Sequence, residues 1–327
     1  MNLTAEIEWI RTVVRDGWHN AFTDLCYWRG FYWLTYRRGS AHVSSDGEVI
    51  VMRSTDLKRW REIATLNTAG DDRDPKFCVA DDRLYVYFGT RFTESNGKVY
   101  YYSYVAFSDD GVEWSRPTRI YKRNYWLWRV RRHKGRFYSP AYGWRENRRG
   151  KKFFLDLLVS DDGVNWHKRC RIGGENLSPN EADIWFWPYE AWCIARSARK
   201  SGSSIFFLSK PPYDEWRSID LDLAIHSPVF CMADGKLYLA GRLLINGDQM
   251  DRMYPGGRTA IFRVDRGTAE IIIVLPSGGD TAYPGLISRE QKRLIVSYYS
   301  QHAYLGGVIE PHQPDQSNIY LAMIKLD

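Results

Sequence analysis

The sequence predicts an all-β protein whose 327 residues form one domain spanning 1–327. A phrase that begins with serine, has aspartate two residues later and ends in tryptophan recurs from Ser54, Ser108 and Ser160, and a degenerate copy runs from Ser209 to Trp216. An interval of roughly 50 residues is typical of β-propeller blades. The 14 tryptophans and 22 tyrosines favour strands over helices. We therefore expect a six-bladed β-propeller in which each blade is a four-stranded antiparallel sheet.

Strand-like runs follow one another in the same order in each repeat: a first run, a turn, a second run, and a third that leads towards the repeated phrase. In blades one to three these runs are residues 21–28, 31–36 and 49–53; 76–80, 84–88 and 99–107; and 128–132, 136–141 and 152–159. In blades four to six they are residues 182–188, 191–195 and 204–208; 228–232, 236–240 and 259–264; and 285–288, 294–299 and 318–325. Short turns at 28–30, 81–83, 133–135 and 233–235 join first to second runs, as in β-hairpins.

The segment 6–14 precedes blade one and belongs to no repeat. We expect it to pair with blade six as its outermost strand, which would close the ring and remove exposed sheet edges. In the repeated phrase, serine and aspartate can bond the backbone of the turn that they occupy. We expect these aspartates to be structural, because they follow the third strand, away from the face where the first strand starts.

Functional side chains are expected at one central mouth. In an antiparallel blade the first strand starts, the second ends and the third starts on the same face. The starts of the first strands supply Asn20, Asp74, Arg129, Glu181, Ser227 and Tyr283. The second and third strands supply Arg37, Arg91, Arg196, Arg242, Tyr299 and Arg258. Aromatic residues expected around this mouth, where they would stack on sugar faces, are Trp126, Trp128, Tyr142, Trp144 and Tyr298.

Arginine dominates this set. A guanidinium group binds a carboxylate through two parallel hydrogen bonds, and several guanidiniums without counter-charge would repel one another. The pattern, together with the formal net charge of +7, therefore favours an anionic ligand such as an acidic sugar. The alternative is that each arginine pairs with a nearby aspartate and serves stability.

These positions resemble the sialidase superfamily, six-bladed propellers with repeated Asp boxes, and the resemblance covers nearly the whole chain. The arginine phrase of blade one is matched by Tyr-Arg-Arg-Gly around Arg37. The glutamate at the start of the first strand of blade four is matched by Glu181, and the arginine one hairpin later by Arg196. A third arginine that opens a later strand is matched by Arg258, and a tyrosine before a short apolar strand by Tyr283.

The resemblance implies a role for each of these residues. Arg37, Arg196 and Arg258 would bind a substrate carboxylate, Tyr283 would be the nucleophile and Glu181 its base. A neutral phenol suits this task, because an anionic nucleophile would be repelled by the substrate carboxylate. Tyrosine has an ordinary pKa near 10 and therefore needs a partner base.

Two of these roles have more than one candidate residue. Sialidases carry a general-acid aspartate before the first Asp box, where this chain offers His42 and Asp46, and Asp74 of blade two is a third candidate. The phrase Arg-Asp-Pro-Lys that contains Asp74 resembles the inner-strand aspartates of five-bladed arabinanase-type hydrolases. Arg242 competes with Arg258 for the third position of the arginine clamp. Further candidates for substrate binding are Asn20, Arg91 and Arg129.

Three functions follow from these observations. The first is a retaining exo-glycosidase of sialidase type that releases a terminal acidic sugar. The second is a glycosidase or lyase for another sugar, with Asp74, Glu181 or His42 as acid and base. The third is a propeller that binds glycans without turnover.

Other classes of function receive little support. The basic run 145–152 is expected to be a solvated hairpin turn, so no nucleic-acid partner is predicted. There is no apolar stretch of membrane-spanning length and no secretory leader. Cysteines in apolar runs favour a reducing compartment, so we expect a cytoplasmic protein, or a secreted or periplasmic one if a signal was removed. No cofactor and no metal site is predicted.

Overall fold

The computed structural model describes residues 5–147, 150–200, 202–244, 257–305 and 315–327. These residues form six antiparallel sheets in a ring, which confirms the predicted six-bladed β-propeller. Apolar clusters fill the spaces between neighbouring blades; for example, Trp33 and Val51 of blade one pack with Val86 of blade two. No helix among the described residues is long and apolar enough to cross a membrane.

The strands follow one another blade by blade along the chain. The N-terminal strand is β1 (Ala5–Val14), and blade one consists of β2 (His19–Trp28), β3 (Phe31–Gly39), β4 (Glu48–Ser54) and β5 (Arg61–Leu66). Blade two consists of β6 (Asp71–Ala80), β7 (Arg83–Thr93), β8 (Val99–Ser108) and β9 (Thr118–Ile120). Blade three consists of β10 (Tyr125–Leu127), β11 (Arg131–His133), β12 (Arg136–Asn147), β13 (Gly150–Ser160) and β14 (His167–Gly173).

The remaining three blades repeat the pattern. Blade four consists of β15 (Pro179–Phe186), β16 (Ala191–Ser197), β17 (Ile205–Ser209) and β18 (Arg217–Asp220). Blade five consists of β19 (Ile225–Ala233), β20 (Lys236–Leu244), β21 (Gly257–Asp265) and β22 (Thr268–Val274). Blade six consists of β23 (Thr281–Ile287), β24 (Arg293–Ser300) and β25 (Asn318–Leu326), with a short 3-10 helix, His302–Tyr304, before β25.

The N-terminal strand closes the ring as the sequence predicts. β1 pairs antiparallel with β25, from Ala5 opposite Leu326 to Val14 opposite Ile319, and so becomes the outermost strand of blade six. Pairing of the two ends of the chain in one sheet removes an edge that an incomplete blade would expose.

The predicted hairpin turns are also present. Both residues of the turn have positive φ at Arg29 and Gly30, at Lys134 and Gly135, and in two further hairpins at 81–82 and 234–235. Positive φ at both central residues is the geometry of the two-residue turn that matches the twist of the flanking strands.

A β-bulge interrupts the first strand of five blades near the central mouth. The register shifts between Ala21 and Asp24, Arg73 and Lys76, Pro179 and Ala182, His226 and Val229, and Ala282 and Gly285. Four of these bulges contain a non-glycine residue with positive φ: Phe22 at 58°, Asp74 at 56°, Ser227 at 52° and Tyr283 at 44°. A bulge leaves an extra residue unpaired and re-aims its side chain, so this repeated irregularity directs polar groups towards the mouth.

The repeated phrase forms a hydrogen-bonded turn away from the mouth. In the second copy the Asp110 carboxylate accepts hydrogen bonds from the backbone N–H groups of Val112 and Glu113, at 2.7 and 2.9 Å. The hydroxyl of Ser108 accepts from the N–H of Gly111 at 2.8 Å. Asp162 and Ser160 make the same contacts in the third copy.

Blade three departs from the prediction. The sequence suggested one continuous first strand over 128–132, but the structure has two short strands, β10 and β11, with a break between them. Arg129 lies in this break and is buried in the centre of the ring. It donates hydrogen bonds to Asp24 of blade one at 3.0 Å, to the carbonyl of Pro228 of blade five at 3.2 Å, and to that of Pro284 of blade six at 2.7 Å. The break allows one side chain to link four blades.

Replacement of Arg129 with methionine should strongly destabilise the protein. The substitution leaves the buried Asp24 carboxylate without its guanidinium partner, and an uncompensated buried charge costs about 3–5 kcal/mol. Urea unfolding should show this loss. Arg136→Met is the matched control, since Arg136 pairs with Asp161 at the surface, and its unfolding midpoint should stay close to that of wild type. Equal effects of the two substitutions would contradict the structural role of Arg129.

Candidate functional site

Tyr283 and Glu181 meet at the mouth of the propeller, although they are far apart in the sequence. The Tyr283 hydroxyl donates a hydrogen bond of 2.8 Å to Oε1 of Glu181. The other carboxylate oxygen, Oε2, accepts a 2.9 Å hydrogen bond from the backbone N–H of Ser227. Because both carboxylate oxygens are engaged, the orientation of Glu181 towards the phenol is fixed.

Two arginines flank this pair. Arg196 donates to Oε1 of Glu181 at 2.7 Å, and the Arg242 guanidinium lies 5.1 Å from the centre of the Tyr283 ring. Burial and the charge of Glu181 raise the pKa of Tyr283 well above 10, and the two arginines oppose that rise. The phenol is therefore neutral at ordinary pH and depends on Glu181 to accept its proton during any attack.

Asp74 is a second buried carboxyl group at the same mouth. Burial raises its pKa to about 6, against the opposing effect of the neighbouring cations Arg73 and Lys76. The Nε of Arg73 lies 3.7 Å from its Oδ2. The charge of Glu181 also raises the pKa of Asp74. The site therefore holds one carboxyl group that is readily protonated near pH 6 beside another that accepts hydrogen bonds from three donors.

These groups line one cavity of about 240 Å³. Its polar lining comes from Arg73, Asp74, Lys151, Glu181 and Tyr283, and its aromatic lining from Tyr101, Trp126, Trp128, Tyr142, Trp144 and Phe153. The volume is below the ~300–1,000 Å³ of sites for drug-sized ligands, so the cavity encloses only a small group. Aromatic faces together with a few polar groups are typical of carbohydrate sites.

Three of the arginines expected around the mouth, Arg37, Arg196 and Arg242, already have counter-charges. Arg37 is completely buried and donates to Asp71 at 2.8 Å, to the Ser44 hydroxyl and to the Ala41 carbonyl, so it does not line the cavity. Arg242 donates to Asp280 at 3.1 Å, as Arg196 does to Glu181. These three pairs agree with the alternative that the arginines serve stability, so they give no support for an anionic ligand, which stays a prediction.

The other predicted substrate-binding residues lie outside the cavity lining. Asn20 donates to Asp16 and to the Ser317 carbonyl, and Arg91 donates to the Thr93 hydroxyl. Arg258 donates to the carbonyl of Gly257 at the start of β21. Arg129 links the blades as described above, and the ring of Tyr298 is buried with its hydroxyl donated to the Pro276 carbonyl.

His42 takes part in a hydrogen-bonded network beside the cavity. Its Nδ1 lies 2.6 Å from Oδ2 of Asp280, which also contacts Nε2 of His19 at 3.1 Å. Its Nε2 lies 3.4 Å from Arg73. Burial lowers the pKa of His42, which disfavours the imidazolium form. His42 does not line the cavity; it reaches the site through Arg73 and through the ring of Phe22, which contacts that of Tyr283.

The same network contains the group of side chains most suited to a metal ion in the described part of the chain. Donor atoms of His19, His42 and Asp280 lie within 4.8 Å of one another. However, Asp280 also binds the Arg242 guanidinium and the hydroxyl of Tyr299, and His42 contacts Arg73. A cation there would face two guanidinium charges, and we assign no metal to it.

Sequence reasoning missed several residues of the cavity. Arg73 precedes Asp74 in the same bulge and could have been found from that adjacency. Tyr101 and Phe153 lie in predicted strands and carry no local signal, whereas Lys151 lies in the basic run 145–152 that was expected to be a solvated turn and belongs instead to β13. Their place in the cavity depends on how blades two and three meet. Asp46 bonds Ser40 in the turn before β4 and stays outside the cavity.

Known structures share this fold at low sequence identity. Trypanosoma rangeli sialidase matches with a TM-score of 0.69 and 12% identity over 94% of this chain and 55% of that one. Phage phi92 endosialidase matches with a TM-score of 0.67 and 12% identity over 99% of this chain and 70% of that one. Bombyx mori GH32 β-fructofuranosidase matches with a TM-score of 0.55 and 12% identity over 95% and 92% of the two chains.

The likeness to sialidases is thus one of fold, and the chain spans about 55% of the length of the Trypanosoma sialidase. No family model and no curated protein sequence matches the chain. The structural resemblance that the sequence suggested is confirmed at the level of the propeller, while the chemistry rests on the residues of the cavity.

The Asp74→Asn substitution should change how stability depends on pH. The pKa of Asp74 is about 6 in the folded protein and about 4 in an unfolded chain, so its contribution to stability is full below pH 4 and is lost as the pH rises through 6. Between pH 4 and pH 7, wild type should lose about 2–3 kcal/mol of unfolding free energy relative to Asp74→Asn. Urea unfolding of both proteins at the two pH values measures this. A constant difference would refute the raised pKa.

Proposed function

We propose that this protein is a retaining exo-glycoside hydrolase that releases a terminal acidic sugar of the sialic-acid type. The 2.8 Å hydrogen bond between the Tyr283 hydroxyl and Glu181 carries the proposal. Sialidases use a tyrosine nucleophile where most glycosidases use a carboxylate. The shared propeller fold of the two sialidase structures adds support.

In the first step the Tyr283 oxygen attacks the anomeric carbon, and its proton passes to Glu181. The bond to the leaving-group oxygen breaks, and that oxygen takes a proton from Asp74, whose pKa of about 6 suits a general acid. The products of this step are a tyrosyl-linked sugar, a protonated Glu181 and an ionised Asp74.

In the second step water attacks the same carbon from the side that the leaving group vacated. Asp74 accepts the proton of the water, the bond to the Tyr283 oxygen breaks, and Glu181 returns the proton to the phenol. Two displacements retain the configuration of the sugar. Both acid-base groups end in their starting states, so the cycle is complete.

Cationic side chains would orient the substrate carboxylate. Arg73 lines the cavity, and its contacts with Asp71 and His42 are long, at 3.3 and 3.4 Å. Arg196 and Arg242 lie at Glu181 and Tyr283. We propose Arg73 and the partly exposed Arg196 as the carboxylate-binding pair, because Arg242, like Arg37, is buried, is bonded to protein acceptors and lies outside the cavity lining. Loose pairing leaves guanidinium donors of Arg73 free to turn towards a ligand.

A second candidate function is hydrolysis of a glycoside without a carboxylate. The pairing of Arg196 and Arg242 with protein carboxylates favours it, because a neutral ring then needs no further counter-charge. In that reaction Asp74 and Glu181 would be the two catalytic carboxyl groups, and Tyr283 would only bind the substrate. A panel of aryl glycosides distinguishes the candidates by which sugar is released.

Tyr283→Phe should lower the rate of hydrolysis of an aryl sialoside by at least about 10³-fold, because the substitution removes the nucleophilic oxygen. A second measurement is covalent labelling with 2,3-difluorosialic acid, which forms a covalent intermediate on Trypanosoma rangeli sialidase. Wild type should gain the mass of the fluorosugar at Tyr283, and Tyr283→Phe should not.

Tyr298→Phe is the matched control, since it removes a buried tyrosine hydroxyl outside the cavity, and it should keep both activity and labelling. Hydrolysis of a neutral aryl glycoside by Tyr283→Phe, with loss in Glu181→Gln, would replace the first candidate with the second.

The pH dependence of kcat/KM should show an alkaline limb near pH 6. Asp74 must be protonated to act on the leaving group, so activity falls as the pH rises through its pKa. Asp74→Asn should remove the limb. It should lower kcat/KM least for a substrate whose leaving group departs without a proton. Asp72→Asn is the control, because burial raises the pKa of Asp72 to about 6 as well, yet this residue bonds Thr68 and Thr90 outside the cavity. A limb that moves in Asp72→Asn would exclude Asp74 as the acid.

A further inference from the structure

Arg73 differs from Arg37 in how closely its charge is matched. Arg37 donates to Asp71 at 2.8 Å, whereas the contacts of Arg73 with Asp71 and Asp74 are 3.3 and 3.7 Å. Arg73 lines the cavity and Arg37 does not. An arginine side chain is long, and fixing it in one orientation costs rotamer entropy. A polar contact that fixes the guanidinium without adding negative charge would therefore prepare Arg73 to bind an anion.

His42 supplies such a contact. Its Nε2 lies 3.4 Å from Nη2 of Arg73, and its Nδ1 lies 2.6 Å from Oδ2 of Asp280. A guanidinium can only donate and an ionised carboxylate can only accept, so Nδ1 of His42 carries the proton and Nε2 is the acceptor. Burial lowers the pKa of His42 despite the nearby Asp280 carboxylate, in agreement with an uncharged ring. The two contacts therefore assign one tautomer to a neutral imidazole.

Asp280 holds His42 in place through a network of donors. The same Oδ2 lies 3.1 Å from Nε2 of His19, whose Nδ1 has no hydrogen-bond partner among the described residues. The Arg242 guanidinium and the Tyr299 hydroxyl donate to Oδ1 of Asp280. Pairing with Arg242 keeps the carboxylate ionised, and its other contacts fix the direction from which it accepts the proton of His42.

The ring of Phe22 packs against both partners of this contact. The guanidinium carbon of Arg73 lies 4.8 Å from the centre of the Phe22 ring, and the His42 ring meets Phe22 edge to face with centroids 5.4 Å apart. An aromatic face attracts a cation but brings no net charge. Arg73 is thus held by an aromatic face and an imidazole nitrogen, both of which are uncharged.

We propose that His42 is a positioning residue that orients the Arg73 guanidinium at the cavity and leaves its positive charge uncancelled. A neutral acceptor orders a cation without the counter-charge that a carboxylate would bring. The site thereby keeps its selectivity for a sugar that carries a carboxylate. This inference rests on the proposed function, in which Arg73 binds the substrate carboxylate, and it gives His42 a part in binding and none in proton transfer.

Nitrogen-15 NMR of the histidine-labelled protein tests the geometry without a substrate. The ring signals of His42, identified by their loss in His42→Gln, should show the proton on Nδ1. Arg73→Met should move the Nε2 signal of His42 towards that of an unbonded nitrogen. Arg258→Met is the control, since Arg258 contacts the Gly257 carbonyl, and it should leave the signal in place. A proton on Nε2 of His42, or an unchanged signal in Arg73→Met, would overturn the inference.

Ligand binding tests the role of the charge. The inhibitor DANA, which is bound in a structure of Trypanosoma rangeli sialidase, carries a carboxylate that its methyl ester lacks. His42→Phe keeps an aromatic ring but removes the acceptor, so it should weaken binding of DANA about tenfold and that of the ester by less than about twofold. His42→Gln, whose amide both donates and accepts, should restore most of the affinity.

His19→Gln is the matched control, because His19 contacts the same Asp280 oxygen and makes no hydrogen bond to Arg73. It should bind both ligands as wild type does. An equal loss of DANA and its ester in His42→Phe, or the same loss of DANA in His19→Gln, would refute an action of His42 through Arg73.

Turnover separates positioning from proton transfer. A contact made equally in the ground state and the transition state changes KM and leaves kcat unchanged. With an aryl sialoside, His42→Phe should raise KM about tenfold and keep kcat within about twofold. A fall in kcat at unchanged KM would make His42 an acid-base group and overturn the inference. If wild type neither binds DANA nor hydrolyses the sialoside, the sialidase proposal fails together with the role of His42 in carboxylate binding, and the NMR result alone decides whether His42 orients Arg73.

Discussion

The repeated bulge of the first strands is the constraint on which the site depends. A regular strand would alternate its side chains between the two faces of the blade and present few of them to the central axis. At Asp74, Ser227 and Tyr283 the backbone instead adopts positive φ, which is unfavourable for residues with a Cβ and persists only when the surroundings enforce it. The surroundings here include hydrogen bonds from other blades, such as that of the Ser227 N–H to Glu181. The irregular backbone and the polar site therefore stabilise each other.

Charge pairing across blades is the second organising principle. Arg129 joins Asp24, Arg37 joins Asp71, Arg242 joins Asp280, and each of these pairs is almost completely buried. A buried pair is weak support for stability in itself, but loss of one partner is costly, so these pairs fix how neighbouring blades meet. Around Tyr283 the pairing of charges makes two carboxyl groups differ. Glu181 is held by Arg196 and a backbone N–H, whereas the nearest cation to Asp74, Arg73, lies 3.7 Å away, and burial raises the pKa of Asp74.

The sequence predicted the parts of this molecule that follow from local periodicity. The recurring serine-aspartate-tryptophan phrase predicted the blades, the turns at 28–30 and 233–235 predicted the hairpins, and the segment 6–14 was correctly placed in blade six. The topology of the blades also brought Glu181 and Tyr283 together. The sequence could not show which residues pair when they are distant along the chain. The sequence around Arg37 resembles that of a carboxylate-binding arginine. In the structure, however, Arg37 is buried against Asp71 of the next blade, and Arg73 lines the cavity instead. The aromatic residue Tyr298 likewise points into a blade, while Tyr101 reaches the cavity.

Closure by β1 has a consequence for how the chain folds. The strand that completes blade six, β1, precedes the other strands of the propeller in the sequence, and its partner, β25, follows them. Every other blade can assemble from neighbouring hairpins as it leaves the ribosome, at a small entropic cost for each loop. Blade six is complete only when β1 and β25 are both present, and contacts of such high sequence separation slow folding. A circular permutant that links β25 directly to β1 and begins at β2 would turn this long-range pairing into a local one, so that all six blades would be continuous in sequence.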